Sequence, residues 1–311
     1  TVKVLRLKHL KDLTWDKFRA LCNGIAKNES LQELELWQQS GDHVVPDPQF
    51  ADAKHLARAV TRISKLRKLT ICGYGFYEEL HVKAICEGLY KCRSLTYFDC
   101  SAPYGQATDI LDRSDFEKPG IYLNEMNLSV LLASIPRIEK LVLMGAMFFV
   151  EVTDGQHQIE GYELSYPMSF HLVPHLEDLD LGCNLFDGKD WDYVLRPLAA
   201  CTKLKHLNLS TFADWYECDG EGFDTLQARS IAGFLINIAS LRRFNISYQV
   251  PEYETLVQFL SELQEHHQLE EVCIPCEDLF YQKFGNFAEA AENVVTSMCR
   301  FNIVRDWNTF R

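Results

Sequence analysis

The residues that could do chemistry fall into short groups with recognisable spacings. Cys273 and Cys276 have the C-x-x-C spacing of metal and redox sites, but no second pair stands at zinc-site spacing, and Cys273 is predicted to point outward from a strand. His171 and His175 are four residues apart, yet Pro174 disfavours the helix that would place both on one face. These groups predict no metal site and no cofactor.

Two further segments match ligand-binding loops only in part. Gly73-Tyr74-Gly75 follows a strand but lacks the third glycine of a dinucleotide-binding loop. The segment Cys218–Asp224 is acidic enough to attract calcium, although its spacing does not match the twelve-residue calcium loop. The ten histidines show no local signature of a Ser/His/Asp grouping. The sequence therefore predicts a protein without catalytic residues, and not an enzyme.

Composition narrows the class of partner. The chain has 311 residues with 47% hydrophobic and 24% charged content and no apolar run long enough to span a bilayer, so no membrane partner is expected. Its net charge of -13 disfavours nucleic acid, which is bound through clustered Lys and Arg. The eleven cysteines are scattered and odd in number, which is typical of free thiols in a reducing compartment and predicts a cytoplasmic protein, with the nucleus as the alternative.

An L-x-x-L-x-L frame recurs along the chain and must position any functional residue. Leu176, Leu179 and Leu181 form one copy. Between copies lie segments with apolar residues at helical spacing, so each repeat is predicted to contain a strand, a loop, a helix and a second loop. Stacking such units lets strands too short to bury a face alone share one core, which predicts an α/β solenoid. The frames start at residues 2, 31, 66, 95, 138, 176, 204, 241, 269 and 298, the last being Met298/Phe301/Ile303.

With these phased repeats the chain resembles the leucine-rich-repeat family, in particular its ribonuclease-inhibitor-like class. The resemblance implies a horseshoe with a parallel sheet on the concave face and helices on the convex face, and it implies no chemistry. It covers 1–311, which we expect to be a single domain cut from a longer protein. The Asn that usually follows the strand is clear only at Asn184, so the hydrogen bonds of the other post-strand loops must be made differently.

Strand alternation predicts which residues line the face opposite the core. Because alternate side chains point to opposite faces, the residues between the frame positions should point outward. They are Glu33, Glu35, Trp37, Lys68, Thr70, Tyr97, Asp99, Lys140, Val142, Asp178, Asp180, His206, Asn208, Arg243, Asn245, Glu271 and Cys273.

Four repeats carry insertions after the strand, in windows 37–52, 101–120, 144–167 and 210–225. The windows contain 16 Asp and Glu residues against only Arg113 and Lys118, so they hold nearly all of the net negative charge. They also contain aromatic residues of the types enriched at protein interfaces. The third window alternates around Asp154-Gly155 and predicts a β-hairpin. Simple tolerance of insertion in acidic loops is the alternative explanation.

These features favour a non-catalytic protein-interaction module that binds a basic protein partner through the concave sheet and the acidic, aromatic insertions. One alternative is a substrate-recognition or ligand-sensing domain of a ubiquitin ligase or innate-immune receptor. Another is a Ran-type GTPase-activating protein, for which Arg113 would be the loop arginine. The candidate partner-binding residues are Trp37, Tyr97, Asp99, Phe149, Asp178, Asp180, His206, Asn208, Asp214, Trp215, Tyr216, Glu217, Arg243 and Asn245.

Overall fold

The computed structural model describes residues 2–8, 14–37, 50–72, 79–101, 125–145, 149–153, 159–164, 168–182, 184, 191–210, 225–246, 253–273 and 302–304. The chain divides into two compact units, Thr1–Leu176 and Glu177–Arg311, which are described separately. The single domain expected for 1–311 stays a prediction.

Unit 1 contains five parallel strands that alternate with helices. The strands are β1 (Val4–Leu7), β2 (Glu33–Trp37), β3 (Lys68–Cys72), β4 (Tyr97–Asp99) and β5 (Lys140–Val142), hydrogen-bonded in that order. The helices are α1 (Trp15–Ile25), α2 (Phe50–Arg62), α3 (Glu79–Leu89) and α4 (Glu125–Ser134), followed by the 3-10 helix Met168–Leu172. The predicted hairpin is confirmed, since β6 (Phe149–Thr153) pairs antiparallel with β7 (Ile159–Leu164) around a bulge.

Unit 2 repeats the pattern with a second set of five parallel strands. They are β8 (Asp178–Asp180), β9 (His206–Asn208), β10 (Arg243–Asn245), β11 (Glu271–Cys273) and β12 (Asn302–Val304). The helices described between them are α5 (Trp191–Leu198), α6 (Thr225–Asn237) and α7 (Tyr253–Leu263).

The leucine frame forms the core of each unit. In the inner strands the frame residues are fully buried, as for Leu34 and Leu36 in β2 and Leu207 in β9. Helices contribute one apolar stripe each, such as Phe18, Cys22 and Ile25 of α1, whose spacing matches a single helix face. Repeated strand and helix pairs of this kind make the fold an α/β leucine-rich-repeat solenoid, as predicted.

Each parallel strand described from β1 to β11 begins two residues after the first residue of its L-x-x-L-x-L frame. The hairpin strands β6 and β7 have no such frame. The last strand departs from this rule, because Ile303 rather than Phe301 is the register partner of Val272. The last frame therefore starts at Arg300 and not at Met298. A polar residue at the first position concealed it from a search for apolar spacing.

Hydrogen bonds from serines tie neighbouring repeats together. Three serines stand directly before a frame, and each donates from Oγ to the carbonyl of the residue that opens the preceding frame. The pairs are Ser30 with Val2 at 3.2 Å, Ser94 with Leu66 at 2.7 Å, and Ser240 with Leu204 at 2.8 Å. Backbone carbonyls at the helix-to-strand corner are satisfied in this way by the next repeat.

Candidate protein-binding face

Two columns of side chains run across the sheet face opposite the helices. We call the first residues of the strands the first-position column and the third residues the third-position column. The register places four strands of each unit in line. The first-position column is Glu33, Lys68, Tyr97 and Lys140 in unit 1, and Asp178, His206, Arg243 and Glu271 in unit 2; the third-position column is Glu35, Thr70, Asp99 and Val142, and Asp180, Asn208, Asn245 and Cys273.

The two columns differ in burial. All eight residues of the first-position column are half-buried, so each strand offers one accessible side chain. In the third-position column only Asp180 is half-buried, and the other seven residues are buried. Alternation predicted the face correctly, but the expectation that these side chains would be accessible is wrong for seven of them: Glu35, Thr70, Asp99, Val142, Asn208, Asn245 and Cys273.

Two buried residues of the third-position column, Asp99 and Asn208, close the turn that follows their strand. Asp99 Oδ1 accepts hydrogen bonds from the backbone N–H of Ser101 at 3.1 Å and from its hydroxyl at 2.6 Å. Asn208 Oδ1 accepts from the N–H of Ser210 at 3.0 Å. These bonds reach two residues along the chain, as in an Asx-turn. In these two repeats, which lack the family Asn after the strand, they supply hydrogen bonds to the start of the post-strand loop.

Asp180 and Asn208 form the tightest polar contact of the third-position column. Asn208 Nδ2 donates to Asp180 Oδ1 at 2.6 Å, and the N–H of Gly182 donates to the same oxygen at 2.9 Å. A Cβ on Gly182 would lie 2.6 Å from Asn208 Nδ2 and 3.0 Å from Asp180 Oδ1. A glycine is therefore needed here for the two side chains to meet. Asn184 lies buried nearby in the chain, and its Nδ2 donates to the Leu181 carbonyl at 2.7 Å.

In unit 1 a chain of charged and aromatic contacts runs across five strands, from β1 to β5. Glu35 Oε1 lies 3.1 Å from Arg6 Nε and 2.8 Å from Lys68 Nζ. The same Lys68 ammonium stands 4.6 Å from the ring centroid of Tyr97, and Lys140 Nζ stands 5.9 Å from that centroid on the next strand. Cations at these distances are attracted to the ring face. Tyr97 is thus flanked by two lysines.

The Glu35 carboxyl in this chain of contacts has a shifted pKa. Burial on its own raises the pKa of Glu35, but hydrogen bonding and charge from Lys68 and Arg6 outweigh burial and lower the pKa below its ordinary value of 4.5. The carboxylate is therefore held ionised and in place.

In unit 2 the first-position column is also paired across strands. Asp178 Oδ2 and His206 Nδ1 are 3.5 Å apart, and Arg243 Nε donates to Glu271 Oε2 at 2.6 Å. Together with Asp180 this strip carries three carboxylates and one arginine. The strip therefore has a net negative charge.

Trp37 lies at the end of β2, half-buried, with Lys8 Nζ 5.4 Å from its ring centroid. Phe149 opens β6, and its side chain lies outside the described residues. The remaining candidates lie in segments that the structure does not describe. They are Asp214, Trp215, Tyr216 and Glu217, together with Arg113, Gly73, Gly75, Cys276 and the segment 218–224.

The sequence reading missed the cations that organise the face. Arg6, Lys8 and Lys68 were not among the candidate residues, although each contacts a carboxylate or an aromatic ring on a neighbouring strand. The signal was available in the alternation of charge between strands that the repeat period places side by side.

No grouping of three or more His, Cys, Asp or Glu that could hold a metal ion occurs within the described ranges. The seven cysteines in the described part of the chain are free and buried. Burial raises the pKa of the thiols of Cys22, Cys86 and Cys201 to about 12. Such thiols are protonated and serve as small apolar core residues. His171 and His175 are exposed at the end of unit 1.

In the part of the chain that the structure covers, none of the helices has both the length and the apolar character of a membrane span.

The chain is similar in structure to several solved proteins of low sequence identity. LegL7, a leucine-rich repeat-containing protein from Legionella pneumophila, is 15% identical with a TM-score of 0.49, over 88% of this chain and 74% of that one. TLR13, solved in complex with ssRNA13, is 15% identical with a TM-score of 0.44 over 88% of this chain, which spans only 33% of the TLR13 chain. A protein from Bacteroides fragilis is 11% identical with a TM-score of 0.42, over 96% of this chain and 73% of that one. No family model and no curated protein matches the sequence. The assignment of the fold therefore rests on the repeat geometry of the chain itself.

Proposed function

We propose that the chain is a non-catalytic protein-interaction module that binds its partner through the first-position column. The observation that carries this proposal is the contrast between the two columns. One half-exposed side chain stands on each of eight strands, above a layer of buried side chains that includes Asp99 and Asn208, both hydrogen-bonded to the backbone. Solenoids commonly bind partners on this face of the sheet.

Rigidity of the supporting layer favours recognition. The buried third-position side chains fix the strand ends, and the exposed side chains are themselves held by cross-strand pairs such as Arg243 with Glu271. A surface that is ordered before binding loses less conformational entropy when a partner docks. Side chains on adjacent strands stand about 4.8 Å apart, which suits a partner segment laid across the strands.

Charge favours a basic partner at unit 2. Its strip contains Asp178, Asp180 and Glu271 against Arg243 alone, and long-range attraction between such a strip and a basic surface speeds association. The acidic insertions predicted from the sequence would add to this field.

The test uses a photo-crosslinking amino acid placed at single positions of the intact chain in a cell extract. Positions 68 and 206 lie in the first-position column, and the matched control positions 90 and 226 are exposed on the helix side. We expect proteins to be crosslinked from 68 and from 206, and none of these proteins from 90 and 226. Crosslinks confined to the control positions would contradict the proposal.

Charge is tested separately with Asp178→Lys, matched by Glu265→Lys, which makes the same change at an exposed turn. Asp178→Lys should slow association of the captured partner, and the effect should shrink as salt is added. Equal slowing by both variants would show that net charge, and not the strip, governs binding.

A further inference from the structure

The outward face of α2 and α3 carries a local excess of positive charge. Segments 50–65 and 79–94 contain seven Lys and Arg residues against three Asp and Glu, whereas the equivalent segments of unit 2, 225–240 and 253–268, contain one against three. The excess runs against the composition of the chain, whose net charge is -13. Six of the cations are exposed and form no ion pair with a described residue, and we call these six the basic helix surface: Arg58, Arg62, Lys65, Lys83, Lys91 and Arg93.

The cations of the basic helix surface differ from other helix cations of the chain, which are paired. Arg19 of α1 pairs with the fully buried Asp52 at 2.6 Å, and Arg229 of α6 pairs with Glu262 at 3.2 Å. Arg58 and Arg62 stand four residues apart on α2, where like charges repel and destabilise a helix. The fold therefore gains nothing from this grouping, which favours a role in binding.

The packing of α2 against α3 brings the cations into one continuous surface. Both helices are interior to unit 1, since α2 also contacts α1 and α3 also contacts α4. A Cβ on Gly88 of α3 would lie 2.7 Å from the carbonyl oxygen of Ala57 in α2, so the two backbones approach closely. Arg62 and Lys91 each stand four residues before the first residue of a frame, and the axes of packed helices are about 8–10 Å apart. Cations of both helices can thus contact a single ligand.

Exposed apolar side chains border the cations. Leu80 opens the outward stripe of α3 and is 53% exposed, and Tyr90, directly after α3, ends it and is 68% exposed. On the neighbouring α4, Met126 is 65% exposed. Tyr, Met and Arg are enriched at protein interfaces, whereas contacts to a phosphate backbone are made by charged and polar groups. The mixture favours a protein ligand that offers both carboxylates and apolar side chains.

Two other anionic ligands fit the basic helix surface less well. A nucleic acid carries a charge on every nucleotide, so its approach is opposed by the net negative charge of the chain. A helix that lies on an anionic membrane presents a continuous apolar face. On α3, Lys83 and Glu87 stand between Leu80 and Tyr90, which are ten residues and about 15 Å apart along the helix. Charge complementarity and this spacing favour a protein segment that combines acidic and apolar residues.

We propose that the basic helix surface binds an acidic segment of a partner protein. Carboxylates of that segment would pair with Arg58, Arg62 and Lys91, and its apolar side chains would cover Leu80 and Tyr90. Arginine forms two parallel hydrogen bonds with a carboxylate, which adds geometric specificity to the attraction between charges. The surface lies on the helix side of unit 1, away from the first-position column, so the proposal stands or falls independently of the proposed function.

The probe is a fluorescent peptide of four ELEE repeats, which carries both carboxylates and apolar side chains. Its matched control has four QLQQ repeats and the same length without the charges. Anisotropy titrations on the intact chain should show at least about tenfold tighter binding of the acidic peptide. Equal affinity for the two peptides, or no binding of the acidic one, would overturn the proposal.

Charge reversal on the helices locates the binding. Arg62→Glu/Lys91→Glu should weaken binding of the acidic peptide at least about tenfold, because it places two anions where the carboxylates would dock. The matched control Arg196→Glu/Lys203→Glu makes the same change of net charge at exposed positions of unit 2 and should leave binding unchanged. Equal weakening by both variants would show that overall charge, and not this surface, governs binding. Should the reversal fold poorly, Arg62→Gln/Lys91→Gln removes the two charges alone, and unchanged binding in that variant would contradict the proposal.

Two further probes distinguish the class of ligand. One is a single-stranded oligodeoxythymidine with as many phosphates as the acidic peptide has side-chain carboxylates, and the other is a vesicle of phosphatidylcholine and phosphatidylserine. We expect both to bind the intact chain more weakly than the acidic peptide does. Binding of either probe as tight as that of the peptide would assign the surface to a nucleic acid or to a membrane and would overturn the proposal.

Discussion

The first-position and third-position columns lie on the same sheet face and differ by only two residues along each strand. His206 is half-buried and meets Asp178 at 3.5 Å, while Asn208 is buried and bonds to both Asp180 and the backbone of Ser210. This difference shows that a side chain that points away from the core is not necessarily accessible to a partner. Distance from the post-strand turn decides which side chains support the fold and which can meet a partner.

The largest expected effect is a loss of stability on truncation of a core leucine, which lies beneath both columns. Leu207→Ala should lower the free energy of unfolding by about 2–5 kcal/mol, because Leu207 is fully buried and its truncation leaves a cavity. Urea unfolding measures the loss, with Leu226→Ala as the control, since Leu226 is 77% exposed. A loss below about 1 kcal/mol for Leu207→Ala would mean that the core is not built on the frame.

The contrast between the columns predicts the next effect. Asn208→Ala should cost about 1–3 kcal/mol, because it removes a donor from Asp180 and an acceptor from Ser210 in a buried site. His206→Ala, on the same strand, should cost at most about 1 kcal/mol, as is usual for a partly exposed pair. Thermal unfolding of the two variants side by side gives the comparison. Equal costs would erase the distinction between the columns.

A substitution at Gly182 tests whether the third-position column depends on close packing against the backbone. Gly182→Ala should destabilise by about 1–3 kcal/mol, because the added methyl displaces the Asp180 and Asn208 side chains. Gly233→Ala is the matched substitution in α6, where nothing lies within 4 Å of the added methyl. There the change should stabilise by about 0.5–1 kcal/mol, because alanine is the better helix former. Denaturation midpoints that move the same way for both variants would argue against crowding at Gly182.

The smallest expected effect is a change in how the stability of the protein depends on pH. The folded pKa of Glu35 is below its ordinary value of 4.5, so the contribution of its ion pairs to stability is present above that value and is lost as the pH falls through the folded pKa. Lys68→Met should therefore destabilise most at neutral pH, and its difference from the parent should shrink as the pH falls below 4.5. Lys83→Met, at an exposed position of α3, should show a difference that does not vary with pH. A constant difference for Lys68→Met would show that its contact with Tyr97, not with Glu35, matters.

Much of the fold could be predicted because repetition reveals burial. A leucine such as Leu179 is ambiguous alone, but its recurrence in a fixed frame identified the strand, its inward face and its neighbours. The same reasoning could not identify which outward residues are buried, since the burial of Asp99 and Cys273 depends on how the chain turns after each strand. Ion pairs such as Lys68 with Glu35 depend on register between repeats of unequal length. The last frame was misplaced by two residues because it opens on the polar Arg300, as the pairing of Ile303 with Val272 shows.

The serine bonds between repeats have a mechanical consequence. Ser94 and Ser240 each fasten a repeat only to the one before it, and the strand register does the same. The hydrogen bonds described above join only neighbouring repeats, so tension applied to the ends of a unit would meet no tie among them that makes the whole unit yield at once. Each repeat that detaches would release its 28 to 43 residues, an extension of about 100–150 Å. Within each unit the chain should therefore extend in steps, with one repeat detaching at a time.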